Sequence, residues 1–165
     1  MAAYERECGQ ALPADYRSFL LRHNGIAFRV PLAFPIVDAE DDEYGRLSVL
    51  FGLPSTRKEL ASALGRDESE RDAPPQIDLR VGGELLDFNE RVPPNIVAIG
   101  ETISEERICL SMYGPDCGTV YIWQPPELFE KKNVPTTRYL RRLAPSFSAF
   151  WRSLYKDPKP LGEYE

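Results

Sequence analysis

The chain has 165 residues, a 42% hydrophobic fraction with 11% aromatics, and a mean hydropathy of -0.38. That is the size of one ordinary domain able to bury roughly 70% of its unfolded surface, and its apolar runs fall far short of the ~20 residues a membrane-spanning helix requires. Its net charge of -6 is uneven: residues 1–130 hold 23 acids against 12 bases and residues 131–165 hold 8 bases against 3 acids, a balance that disfavours nucleic acid or anionic lipid as partner and favours a basic protein drawn in by the field.

The opening segment, residues 1–8, carries Glu5 and Glu7 where an export signal needs a basic flank and an apolar run, so a cytoplasmic protein is expected. Leu12, Tyr16, Phe19 and Leu20 fall at i, i+4, i+7 and i+8 and predict a helix from near Pro13 to Asn24-Gly25, with Gly25 as its left-handed stop. Residues 26–37 mix apolar side chains with Pro31 and Pro35, which predicts short extended pieces broken by proline rather than one long strand. Residues 48–53 form another apolar piece closed by Gly52 and Pro54, and residues 56–64 read as a helix with Leu60, Ala61 and Leu64 on one face. The polar stretch 66–75 predicts a surface loop, and Gly82-Gly83 a turn, because no phosphate-loop lysine or following helix accompanies it.

Three strands follow, at 96–100, 107–113 and 119–123, alternating through Ile108, Leu110 and Met112 and through Val120 and Ile122. The glycines and proline of residues 114–118 suit a hairpin between the last two, so the centre is an antiparallel sheet. Leu140, Leu143, Phe147, Phe150, Trp151 and Leu154 take 3- and 4-residue steps and predict a C-terminal helix laying an aromatic stripe on that sheet, with Arg138, Arg141 and Arg142 on its wet face. The predicted fold class is α+β. It is a single domain with a mixed, mainly antiparallel sheet packed by N-terminal and C-terminal helices, a core over residues 4–155, a polar insert over 56–90 and a short tail over 156–165.

The residues able to carry chemistry are few. Cys8, Cys109 and Cys117 are an odd number without paired spacing, which fits reduced thiols rather than a disulfide frame or a zinc site, and neither metal nor cofactor is expected. His23, the sole histidine, falls in the last turn of the first helix, where it complements the dipole or caps carbonyls; as a general base it would need a nucleophile and an orienting acid beside it. Cys109 reads as a small hydrophobe of its strand, and Cys117 as a loop thiol with nothing basic nearby to lower its pKa. Asp38, Glu40, Asp41, Asp42 and Glu43 put five carboxylates in six positions. A calcium loop would need spaced ligands and a glycine that this run lacks, which leaves a solvated loop or a contact patch for a basic protein, with Tyr44 and Leu47 as apolar anchors beside it.

Several segments together resemble the SUKH superfamily, the Smi/Knr-like and Syd-like domains. They are Leu12-Pro13-Ala14-Asp15-Tyr16 with Phe19-Leu20 and Asn24-Gly25; Leu50-Phe51-Gly52-Leu53; the run from Val92-Pro93-Pro94-Asn95 to Gly100; Ile108-Cys109-Leu110; then Asp116, Gly118, Val120-Tyr121-Ile122-Trp123, and Ser146-Phe147 with Phe150 and Leu154. The chain departs from the pattern at Ile26, where a second glycine is common, and at Gln124, where an acid is common. The resemblance implies a non-catalytic immunity protein that binds a cognate bacterial polymorphic toxin; with the charge balance the expected target is a basic nuclease or another nucleic-acid-modifying domain, bound by a monomer or weak homodimer without nucleic acid or membrane as partner. A regulatory or scaffold domain, as in the signalling and cell-wall relatives, is the rival reading. An enzyme would require a pocket gathering His23, Cys117 and carboxylates.

Overall fold

In the computed structural model the residues described are 2, 5, 6, 9–36, 44–53, 92–124 and 137–156. The helix predicted at 56–64, the loop at 66–75, the turn at Gly82-Gly83, the insert as a whole, Cys8 and the end of the tail lie outside them.

Helix α1 (Ala14–His23) follows Pro13, and it carries Asp15 in its first turn and Arg22 and His23 in its last, which matches the helix dipole. Its buried residues are Tyr16, Phe19 and Leu20, the face that the spacing predicts. The stop is shared by two residues rather than supplied by Gly25 alone. Asn24 adopts the left-handed conformation, φ 46° and ψ 46°, with its N–H donating to the Leu20 carbonyl at 3.0 Å, and Gly25 follows at φ 96°. Asparagine tolerates this region because its short polar side chain finds local hydrogen bonds.

That side chain also reaches across the fold. Asn24 Oδ1 accepts from the Leu53 N–H at 2.8 Å, and Asn24 Nδ2 donates to the Leu53 carbonyl at 3.0 Å. Gly52 makes the approach possible, since a Cβ there would sit 2.1 Å from the Asn24 carbonyl oxygen; a Cβ on Gly25 would in turn sit 2.8 Å from the Gly52 nitrogen. Asn24-Gly25 and Gly52-Leu53 are two halves of one clasp.

Among the described residues seven strands form a single sheet: β1 (Ile26–Pro35), β2 (Tyr44–Leu50), β3 (Ile96–Thr102), β4 (Arg107–Ser111), β5 (Val120–Trp123), β6 (Leu140–Ala144) and β7 (Tyr155–Lys156). Their order is β6-β5-β4-β3-β2-β1-β7, a meander whose last strand returns to pair with the first, and every pairing is antiparallel. β4 is buried at all five positions, as befits a central strand.

Two expectations are corrected. Residues 26–35 form one ten-residue strand, not short pieces. Its register with β2 shifts between Ala27 and Leu32, so Pro31 falls where the ladder is irregular and its missing N–H costs nothing, while Pro35 pairs with Tyr44 at the strand's end. The C-terminal helix is also shorter than its apolar steps suggest. Residues 140–144 are strand β6, paired Trp123↔Leu140, Ile122↔Arg141, Tyr121↔Arg142 and Val120↔Ala144, and only α2 (Phe147–Ser153) is helical. Pro145 disfavours helix at the residue before it, and Ser146 opens α2 as its N-cap, Oγ accepting from the Ala149 N–H at 3.1 Å. Arg141 and Arg142 therefore project from an outer strand, not from a helix.

The core gathers Phe34, Leu47, Leu50, Ile99, Ile108, Leu110, Ile122 and Trp123 from the sheet and Phe51 from just beyond β2, with Tyr16 and Phe150 from the helices. Arg107 is a charge inside it, its side chain 4% exposed, and it meets Glu101 at 2.5 Å, so the buried guanidinium has its counter-ion on the neighbouring strand. Among the described residues no helix is long and apolar enough to cross a membrane.

Candidate functional site

Of the acidic run, Asp38, Glu40, Asp41, Asp42 and Glu43 lie outside the described residues and Tyr44 opens β2. The alternation of that strand buries Gly45, Leu47 and Val49 and leaves Tyr44, Arg46 and Ser48 half-buried. Leu47 is fully buried and so is core, not the interface anchor expected from sequence. Tyr44 keeps a partly open ring, held by Arg46, whose guanidinium lies 5.1 Å above the ring centre and donates from Nη2 to the Tyr44 hydroxyl at 2.9 Å.

A concavity lies elsewhere among the described residues. α1 and α2 lie side by side and enclose an open cleft of about 460 Å³ lined by Asp15, Ser18, Phe19, Arg22, His23, Phe147, Ser148, Trp151 and Arg152. Its floor is aromatic: Phe19 and Phe147 are 4.9 Å apart between ring centres, Phe19 and Trp151 5.3 Å, and His23 stacks toward Trp151 at 6.1 Å with planes 29° apart. Offset and tilted pairs at these separations are favourable beyond their buried area.

Asp15 fixes the geometry. Its Oδ2 accepts from the Ser148 N–H at 2.8 Å, a bond spanning 133 residues, while Oδ1 accepts from the Tyr16 N–H at 2.9 Å. Together with the Ser146 cap, this bond satisfies the second and third amides of α2, which otherwise have no partner within a helix. Asp15 thus serves both helix N-termini, a role its place in the first turn of α1 hinted at but whose distant partner no local pattern discloses.

The other candidates are dispersed. His23 lines this cleft, exposed at its edge, whereas Cys117 sits in the hairpin between β4 and β5 with its Sγ 3.2 Å from the Met112 carbonyl. Cys109 is fully buried, and burial pushes its thiol well above the ordinary range despite the nearby charge of Arg107, so it is the small hydrophobe predicted. Asp116 organises the same hairpin. It accepts from Ser111 Oγ at 2.9 Å and from the Tyr121 hydroxyl at 2.8 Å, while Asn95 Nδ2 donates to Ser111 Oγ at 2.9 Å and to the Tyr113 carbonyl at 3.2 Å. Burial, and then the bond to and charge of Asp116, raise the Tyr121 phenol, with Arg142 opposing. Each of these polar groups is occupied in tying a turn to the sheet. The described residues contain no group of three or more His, Cys, Asp or Glu placed to hold a metal ion.

Sequence reasoning set Trp151 in the core and gave no role to Arg22 or Arg152; the structure brings all three to the cleft, with Trp151 half-buried and both arginines exposed. The common signal is spacing, since 15, 18, 19, 22 and 23 share one face of α1 and 147, 148, 151 and 152 share one face of α2. A model of the SMI1 / KNR4 family (SUKH-1) matches residues 1–153 of the chain. No curated protein and no solved structure matches it.

Proposed function

As the chain belongs to the SMI1 / KNR4 family (SUKH-1), we propose that it is a non-catalytic immunity protein, which binds and neutralises a cognate bacterial toxin by surface complementarity. The family match over residues 1–153 carries this reading. It is supported by the use to which the reactive side chains are put. Cys109 fills the core, Asp116 and Tyr121 fasten a hairpin, and Asp15 caps a helix, so these groups serve the scaffold.

In this reading the protein acts in the cytoplasm, as a monomer or weak homodimer, and its target is a basic nuclease or another nucleic-acid-modifying domain. The acidic run Asp38, Glu40, Asp41, Asp42 and Glu43 stands in for phosphate charge, and the ring of Tyr44 supplies an aromatic contact at its border. Neutralisation of a toxin calls for an interface of about 1,600 Å², and opposite potentials on the two surfaces speed the encounter more than they tighten the complex. Co-expression with the product of the adjacent gene, scored by growth and by co-purification, tests the reading. Protection together with a stable complex is expected, and a toxic neighbour whose effect persists in its presence refutes it. Neutralising Asp41 and Asp42 to Asn should slow association at low salt; an unchanged association rate removes that run from the interface.

A further inference from the structure

The cleft between α1 and α2 combines an aromatic floor with a cationic rim. Arg22 is exposed and has no partner among the described residues. Arg152 is also exposed and spends only Nε, which donates to the Ser148 carbonyl at 3.1 Å. Among the described residues the only acid lining the cleft is Asp15, and both of its oxygens are engaged by backbone amides. Among the described residues the rim charge is thus uncompensated, on a protein whose net charge is -6.

We propose that this cleft docks an acidic segment of a partner protein, whose carboxylates pair with Arg22 and Arg152 while an aromatic or apolar side chain lies against Trp151 and His23. The inference rests on the protein-binding reading and gives it a surface lined by α1 and α2. Charge complementarity selects the occupant. Guanidinium groups bind carboxylates through paired N–H donors, and two of them flanking one groove suit a segment with acids on either side of an anchor. Two cations on an acidic body are too few for nucleic acid. The floor suits the anchor, since Trp and Arg are the side chains over-represented where binding energy concentrates, and Trp151 is already half-buried and braced by Phe19 and Phe147. The helices are held together by Asp15 rather than by the occupant, so the groove is formed before docking.

The test is a titration of the ¹⁵N-labelled full chain with the probe peptide acetyl-Asp-Asp-Phe-Asp-Asp-amide, read at the two indole N–H resonances. Trp151 should shift while Trp123, buried in the sheet, stays in place. The double variant Arg22→Gln/Arg152→Gln, on exposed positions and with the Trp123 resonance as a check of folding, should weaken binding at least about tenfold. The matching lysine peptide should not bind. The proposal fails if the acidic probe causes no shift up to about 1 mM, if the lysine peptide or free phenylacetate shifts Trp151 equally well, or if the double variant binds as the wild type does. Growth protection by the wild type is scored separately. Protection without a peptide shift discards the cleft and keeps the immunity reading, whereas a shift without protection keeps the cleft as a protein-binding surface and discards the toxin as its partner.

Discussion

Replacing Asn24 by Ala removes two cross-fold hydrogen bonds, at 2.8 and 3.0 Å to the Leu53 backbone, and places an ordinary residue at φ 46°. Each part-buried bond contributes about 1 kcal/mol net, and the left-handed conformation costs a residue with a Cβ about 1 kcal/mol or more, so the loss should be about 3 kcal/mol. For a domain of this length that corresponds to roughly 6–12 °C in Tm. Asn24→Gly keeps the backbone relaxed and loses only the bonds, so it should fall between wild type and Asn24→Ala, at about 2 kcal/mol. Gly52→Ala attacks the other half, because its Cβ would sit 2.1 Å from the Asn24 carbonyl oxygen and force the two segments apart. Urea unfolding followed by circular dichroism gives all the values. Because both positions belong to one clasp, the double variant Asn24→Ala/Gly52→Ala should be clearly less destabilised than the sum of the singles. Additive losses, or Asn24→Gly no more stable than Asn24→Ala, would refute the reasoning.

Two further outcomes follow from the titrating groups. The Tyr121 phenol is raised, so the folded state favours its protonated form; this stabilisation is complete below the unfolded value of 10.0 and is lost as pH climbs through the folded pKa. Wild type should therefore lose stability above pH 10.0 more steeply than Tyr121→Phe, as measured by urea midpoints along an alkaline series, and parallel curves would count against burial and the Asp116 bond as causes of a raised phenol. Alkylation of the native protein should modify exposed Cys117 well before Cys109, whose thiol is buried and raised, with site-resolved mass spectrometry as the readout; equal rates would place Cys109 at the surface.

What local pattern could disclose here was disclosed where one period ruled alone. The alternation through Ile108, Leu110, Val120 and Ile122 leads directly to β4 and β5, and the steps from Leu12 to Leu20 lead to α1. The apolar steps from Leu140 to Leu154 run through two elements, because Leu143 and Ala144 are buried by strand pairing and Phe147 and Phe150 by helix packing, and the sum imitates one long helix. Pro145-Ser146 was the mark of the break. The prolines of β1 misled in the opposite sense, since an irregular register accommodates them without ending the strand. The candidate site was least legible. Cys109 and His23 fell where the sequence placed them, but the cleft depends on Asp15 meeting Ser148 across nearly the whole chain, and no local window contains both. The clasp gives two of the resembling segments a shared task that sequence could not disclose, since in this fold Asn24-Gly25 and Gly52-Leu53 are each the other's partner.

The tie between Asp15 and Ser148 also sets a schedule for synthesis. Tyr16 and Phe19 leave the ribosome ahead of Phe147, whose ring stands 4.9 Å from each of theirs in the finished protein and which is made 128 or more residues later. At 5–20 residues per second the first helix waits on the order of ten seconds for its cover. During that interval its aromatic face lacks this cover, and a message truncated before the Phe147 codon leaves it so permanently.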